Sequence, residues 1–379
     1  MMWEKTTIGK HCTVTSSKRF HLSDRSDSGI PFYCSKEIIQ KVNGQEITDY
    51  DYIKVESYEE VKKKFGVPEC GDLLITTRGT YGVPYLYNAE DKFYFADGNL
   101  TWLKDFDDLL VAEFLYYWIL SYEGQKKIDA IAKGTAQKAV PIALIKDIEL
   151  SIPDVEMQKK IAKILTAYDD FIENNQKQIK LLEEAAQRLY KEWFVDLRFP
   201  GYEDVEIVDG VPEGWTYKRV EEFGEVITGK TPSTSKTEYY GGSIPFVTIP
   251  DMHGNVFPLV TEKTLTKVGA DTQKNKYLPA NTVIVSCIAT VGLVNIAIEP
   301  CQTNQQINSV ILHDDNNLYF FYESMKRIKT LLDGVGSNGA TMTNVNKTKF
   351  SNIKVLYPTE DLVMKYNEFC KPIFAQMTV

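Results

Sequence analysis

At 379 residues the chain is longer than the roughly 100 to 200 residues of one ordinary domain, so two domains are the starting expectation. Its 43% hydrophobic and 25% charged residues, with only 15 prolines and 23 glycines, exclude disordered and fibrous classes. The net charge of −9 argues against tight unassisted binding to nucleic acid, because phosphate neutralisation supplies most of that affinity. The excess is confined to residues 1–210, with 27 Lys/Arg against 36 Asp/Glu; residues 211–379 carry 16 of each.

Along the chain, β-branched and aromatic runs predict strands at 72–77 and 93–96, then a helix over about 108–132 and a strand at 148–152. Beyond Pro153 the period changes. Ile161, Leu165, Tyr168, Ile172, Asn175, Ile179, Leu182, Ala186, Leu189 and Trp193 alternate spacings of four and three, a heptad seam. Asp154 suits the N-cap and Pro200-Gly201 the stop, giving a helix of about 40 residues, roughly 60 Å long. Residues 283–298 are short for a membrane span and read as two buried strands around a turn. A helix over 317–332 and a strand at 353–357 follow. Leu362, Tyr366, Phe369, Ile373 and Met377 then start a second seam, which Pro372 is expected to weaken.

The two halves repeat. Trp3 matches Trp215, Val14 and Lys18 match Val226 and Lys230, Ile30-Pro31-Phe32 matches Ile244-Pro245-Phe246, Gly82 matches Gly292, and residues 134–153 match 339–358. The offset drifts from 214 to 205 with the order kept, as loop deletions within duplicated domains would produce. The expected architecture is α+β, with two pseudo-repeated globular domains separated by a long coiled-coil helix and a truncated second coiled-coil helix at the C-terminus. The boundaries are 1–153, helix 154–198, linker 199–212, second globular domain 213–358 and second helix 359–379. That last helix should cover only about Asn175 to Trp193, leaving Ile161, Leu165, Tyr168 and Ile172 without an intramolecular partner.

Motifs for chemistry fail in context. Gly224 to Thr231 fits the phosphate-loop pattern, but residues 232–235 continue as loop and the matching stretch of the first half has no glycine. The base-clamping motif of amino-methyltransferases is absent, and Asp154 and Glu156 are better explained as the start of a helix than as nuclease carboxylates. Four scattered histidines give no catalytic constellation, and six cysteines without a close pair give no zinc site or disulfide framework. No cofactor or metal is expected. The first residues lack a secretory core, so a cytoplasmic location is expected.

Polar loops at equivalent places in both halves are the candidates for DNA contact: Ser16, Ser17, Lys18, Arg19, Thr77, Arg78, Thr80, Tyr81, Gln137 and Lys138 in the first half. In the second they are Lys230, Thr231, Ser233, His253, Asn255, Asn304, Gln305, Gln306, Thr341, Thr343 and Asn344. Asn and Gln suit bidentate adenine contacts and Arg78 suits guanine.

Taken with Ile152-Pro153, Gln158 and Ile161 opening the first helix, Trp193-Phe194 through Phe199-Pro200-Gly201 closing it, and Pro212 to Trp215 and Gly229 to Ser233 opening the second half, the sequence resembles the specificity subunits of type I restriction-modification systems. The resemblance implies two target recognition domains, each reading one half of an asymmetric split sequence in double-stranded DNA. It implies helices that dock two modification (methyltransferase) subunits, restriction subunits reached through the complex, no membrane and no catalysis by this chain. A stand-alone sequence-specific DNA-binding protein, a truncated silent allele and a coiled-coil scaffold without a DNA role are the alternatives.

Overall fold

The computed structural model describes residues 3–134, 138–333 and 344–378. It divides into two compact units, Met1–Glu173 and Asn174–Val379, with the division inside the long helix Val155–Phe194.

Unit one is built on an antiparallel four-stranded sheet in the order Thr13–Thr15, Leu100–Lys104, Leu73–Thr76, Pro84–Leu86. Leu73, Ile75 and Leu103 turn one face toward Phe114, Leu115 and Trp118 of helix Ala112–Leu120, forming the core. Leu74, Leu100 and Trp102, the alternate residues, meet a second cluster with Tyr33, Phe93 and Phe95. Period-two alternation thus feeds two cores from one sheet. A smaller sheet holds Arg25–Ser26, Asp51–Ile53, Ile30–Tyr33 and Tyr94–Phe95, the last pair parallel. Strand Glu4–Thr7 pairs with Glu149–Ile152 and brings the start of unit one beside the entry to the long helix.

Unit two repeats this plan. Its antiparallel sheet runs Gly224–Thr228, Ile307–Leu312, Val283–Ser286, Val294–Ile296. Tyr240–Val247 again carries a parallel partner, Gln302–Thr303, and Thr216–Arg219 pairs with Lys354–Tyr357. The would-be phosphate loop is therefore a strand: Gly224 to Thr228 lie in register against Leu312 to Asn308.

Two expectations need correction. The helix expected over 108–132 breaks at Ser121, which takes an extended conformation and whose hydroxyl caps the next helix, Tyr122–Ile131, by accepting from Gly124 N–H. The helix expected over 317–332 also breaks, at Arg327, into Leu318–Lys326 and Ile328–Asp333, here without an extended residue at the break. Pro372 does not end the C-terminal helix Glu360–Gln376, because it sits on the exposed side, where water can satisfy the carbonyl it strands.

The seam of the long helix is used in two ways. Asp154 accepts from Met157 N–H at 2.9 Å, capping as expected, and Ile161 is half-buried against the core of unit one, so it is not among the exposed seam residues. Tyr168 and Ile172 are 65% and 53% exposed, and Leu165 is at the edge of exposure. In unit two Ala186 and Trp193 are buried, with Ile179, Leu182 and Leu189 half-buried around them. Tyr190 and Phe194, off the seam, are buried too, against Phe320 and Tyr366, because here the helix forms part of the unit's core.

Candidate nucleic-acid interface

In unit one the candidates gather where strand Leu73–Thr76 ends and Leu100–Lys104 begins. The turn 97–99 is the hub. The Ser16 hydroxyl donates to Leu100 O at 3.2 Å and accepts from Gly98 N–H at 3.4 Å. Thr77 donates its hydroxyl to Gly98 O at 3.1 Å and its N–H to Asn99 O at 2.8 Å. Arg19 Nε donates to the Asp97 carboxylate at 2.8 Å. Arg78 pairs with Ala139, and its guanidinium lies beside Gly98, whose φ of +72° is a left-handed conformation that favours glycine. The ammonium of Lys18 sits 4.7 Å above the Phe65 ring, and the Lys18 backbone N–H donates to the Tyr94 hydroxyl.

Other candidates stand apart. Ser17 is buried, so its hydroxyl is withdrawn from the surface. Tyr81 donates to Asp129 on helix Tyr122–Ile131 and is tied to that helix instead. Thr80 and Lys138 are exposed, and Gln137 lies outside the described residues.

Unit two assembles the equivalent end of its sheet. Lys230 N–H donates to Thr303 O at 2.9 Å, and the Thr231 hydroxyl donates to Gln305 Oε1 at 2.6 Å. Asn304 donates Nδ2–H to Gln306 Oε1 and accepts from Gln306 N–H, both at 3.0 Å. A Cβ on Gly229 would meet Asn304 O at 2.2 Å, so this close approach, and no phosphate, accounts for the glycine before Lys230. Beside these residues opens a cavity of about 390 Å³ lined by Thr231, Tyr240, Phe246, Thr248, Lys263 and Asn304. Ser233 hydrogen-bonds Ser235 at the margin. His253 and Asn255 belong to a different loop, fastened where Asn295 donates to Met252 O and Asn255 O. Thr341 and Thr343 lie outside the described residues, whereas Asn344 is exposed and pairs with Ile288.

The two ends share a backbone plan. The Thr77 N–H to Asn99 O bond of unit one is matched by Cys287 N–H to Gln306 O in unit two, and the Arg78–Ala139 pairing by Ile288–Asn344. On that common frame the side chains differ: Arg78 against Ile288, and Asp97, Gly98, Asn99 against Asn304, Gln305, Gln306. Burial pushes the Cys287 thiol up to about 11, so it is a neutral thiol, not a nucleophile.

Sequence reasoning missed several members. Asp97 to Asn99 are the repeat counterparts of Asn304 to Gln306, and aligning the halves at this turn would have found them. Gln273 and Gln302, both buried, form an amide relay that supports Lys230: Gln273 Nε2 donates to Lys230 O and to Gln302 Oε1. No periodicity marks them. The structure also joins Thr6, His11 and Asp107, with Thr6 Oγ1 to His11 Nε2 at 2.7 Å and His11 Nδ1 to Asp107 at 2.9 Å. Burial alone would raise the Asp107 carboxyl, but the His11 hydrogen bond and the Leu109 and Leu110 N–H donors outweigh it and hold it below its ordinary value. Thr6 and His11 are buried, so this chain fastens the first strand to the loop before helix Ala112–Leu120.

The model of the type I restriction modification DNA specificity domain matches residues 2–184 and again 212–361. The chain belongs to this family. Two specificity domains in one chain are the repeat seen in the sequence and in the sheets. The chain is 34% identical over 332 residues to the type I restriction enzyme HindI specificity subunit of Haemophilus influenzae, covering 70% of this chain and 72% of that one. It is 24% identical to the MjaIX specificity subunit of Methanocaldococcus jannaschii over 89% and 80% of the two chains. A crystal structure of a type I restriction-modification S subunit from M. genitalium shares the fold, with a TM-score of 0.61 over 99% of this chain and 90% of that one at 16% identity. Among the described residues no helix is long and apolar enough to cross a membrane.

Proposed function

We propose that this specificity subunit reads an asymmetric, bipartite target in double-stranded DNA, one half with each unit, and that it performs no chemistry itself. The proposed reading surfaces are the sheet ends described above, within domains bounded at 1–153 and 213–358. Helices 154–198 and 359–379 dock two modification subunits, which bring methyl transfer, and restriction subunits join through them. One observation carries this reading: a common hydrogen-bonded frame presents different side chains in the two units. The Arg78 guanidinium beside Gly98 and a row of Asn304, Gln305 and Gln306 offer different donor and acceptor patterns to base edges. The acidic balance of residues 1–210 fits a reader whose affinity for phosphates is completed by its partners.

The test is an electrophoretic mobility shift with a randomised duplex library, using the chain alone and the chain assembled with its modification subunit. Selection of one split, non-palindromic motif by the assembly, and none by the chain alone, is expected. Equal selection by the chain alone would identify a stand-alone DNA-binding protein instead.

A further inference from the structure

Away from the sheet end, unit two contains a second cavity, of about 410 Å³, between the C-terminal half of the long helix and helix Leu318–Lys326. Its charged lining comprises Glu184, Arg188 and Lys191 on one side and Glu323, Lys326 and Arg327 on the other. Most of these charges are already matched. Arg188 pairs with Glu184 at 3.3 Å, Lys191 with Asp196 at 2.5 Å, and Lys326 with Glu183. Two groups are left over. Arg327 is half-buried at the break between two helices, and its guanidinium has no hydrogen bond or ion pair among the described residues, although Asp196 lies near enough to feel its charge. Glu323 is 3% exposed, and its Oε1 is buried without a donor.

Five unused N–H donors at the mouth of a cavity call for an acceptor, and the planar guanidinium fork suits an oxyanion. Glu323 completes the arrangement rather than opposing it. Burial, together with the nearby Glu183 and against the pull of Lys326, pushes its carboxyl up to about 8, so at neutral pH it is mostly protonated and can donate. The cavity also lies toward the reading end of the sheet. Gly292, in the turn beyond strand Val283–Ser286, would bring a Cβ within 3.3 Å of Ile328, the residue after Arg327.

We propose that this cavity is a phosphate site by which unit two grips the DNA backbone, with Arg327 the direct ligand, Arg188 and Lys191 flanking it and the Glu323 carboxyl donating a further hydrogen bond. The inference rests on the proposed DNA role and adds to it a contact that carries no sequence information.

The experiment measures affinity of the full assembly for its selected duplex and for a scrambled duplex across a potassium chloride series, for wild type, Arg327→Gln and Arg327→Lys. Arg327→Gln is expected to weaken both duplexes by the same factor, leaving their ratio unchanged, and to lower the slope of log affinity against log salt by about 1. Arg327→Lys is expected to restore most of the slope, which a folding defect would not allow. An unchanged slope in Arg327→Gln overturns the site. So does loss of subunit assembly with intact phosphate dependence, which would assign the cavity to a carboxylate of a partner subunit. A wild-type assembly that binds both duplexes equally would instead refute the sequence-reading role, while a reduced slope in Arg327→Gln would still uphold the phosphate contact.

Discussion

Arg78 and Gln158 show what single side chains carry. Arg78 is exposed and held by backbone pairing at the rim of the turn 97–99, free to reach a base edge. Arg78→Ala is expected to cost about 1–3 kcal/mol of discrimination at one position of one half-site, read as relaxed sequence preference with the other half unchanged. Gln158 is fully buried, accepts from Val111 N–H at 2.9 Å and donates to Leu109 O and Pro153 O, both at 2.9 Å. Gln158→Leu would strand those backbone groups, and an amide–backbone bond lost in the interior costs about 1–3 kcal/mol. The thermal transition of unit one is expected to shift down while that of unit two stays in place. Glu323 gives a pH signature. A carboxyl raised to about 8 in the fold binds a proton that the unfolded chain releases near its ordinary value of 4.5. Stability is therefore fully present below about 4.5 and is lost as pH rises through about 8. Melting of unit two should fall over that window in wild type and fall less in Glu323→Gln. Gln158 stood out in the sequence as part of an opening motif, but its partners Val111 and Leu109 did not, because they are backbone groups of a loop 47 to 49 residues away.

At the scale of elements, the two units solve the same entry problem differently. Where unit one uses Gln158, unit two has buried Val363, and the corresponding loop closes on itself through Asp314, which accepts from Asn316 N–H, and the turn Asp315–Asn317. The heptad spacing of the long helix was legible in the sequence because apolar residues recur at 3.5; the depth of burial was not, because spacing does not say what covers a face. Tyr190 and Phe194 fall outside the seam yet sink into the core, while Tyr168 and Ile172 lie on it and stay exposed. Trp193→Ala should therefore destabilise unit two by about 3–5 kcal/mol, whereas Tyr168→Ser should move the melting of the isolated chain by no more than about 0.5 kcal/mol. The helix breaks at Ser121 and Arg327 were invisible to periodicity because the apolar pattern continues across them; the capping by the Ser121 hydroxyl emerges only in the structure.

For the whole molecule, the period of about 207 residues carried the fold class, since several of the residues that match across it are buried in their units, although Trp3, Lys18 and Lys230 are exposed. Trp215, Phe32 with Phe246, and Val226 are buried in their units, and Gly82 and Gly292 sit in equivalent turns packed against the following helices. The proposed reading surfaces were only half legible. Their frame repeats, but the turn 97–99 lacks the amide row that drew attention to its counterpart, and the proposed function requires those side chains to differ. The account stands on two unlike readers in one subunit. Its most direct test is single-molecule sequencing of methylated DNA from cells that make the modification subunit together with either this chain or a version whose residues 213–358 come from another family member. The account predicts one split, asymmetric methylated motif whose second half alone changes in the chimera. A motif that changes in both halves, or an unsplit palindromic one, would contradict it.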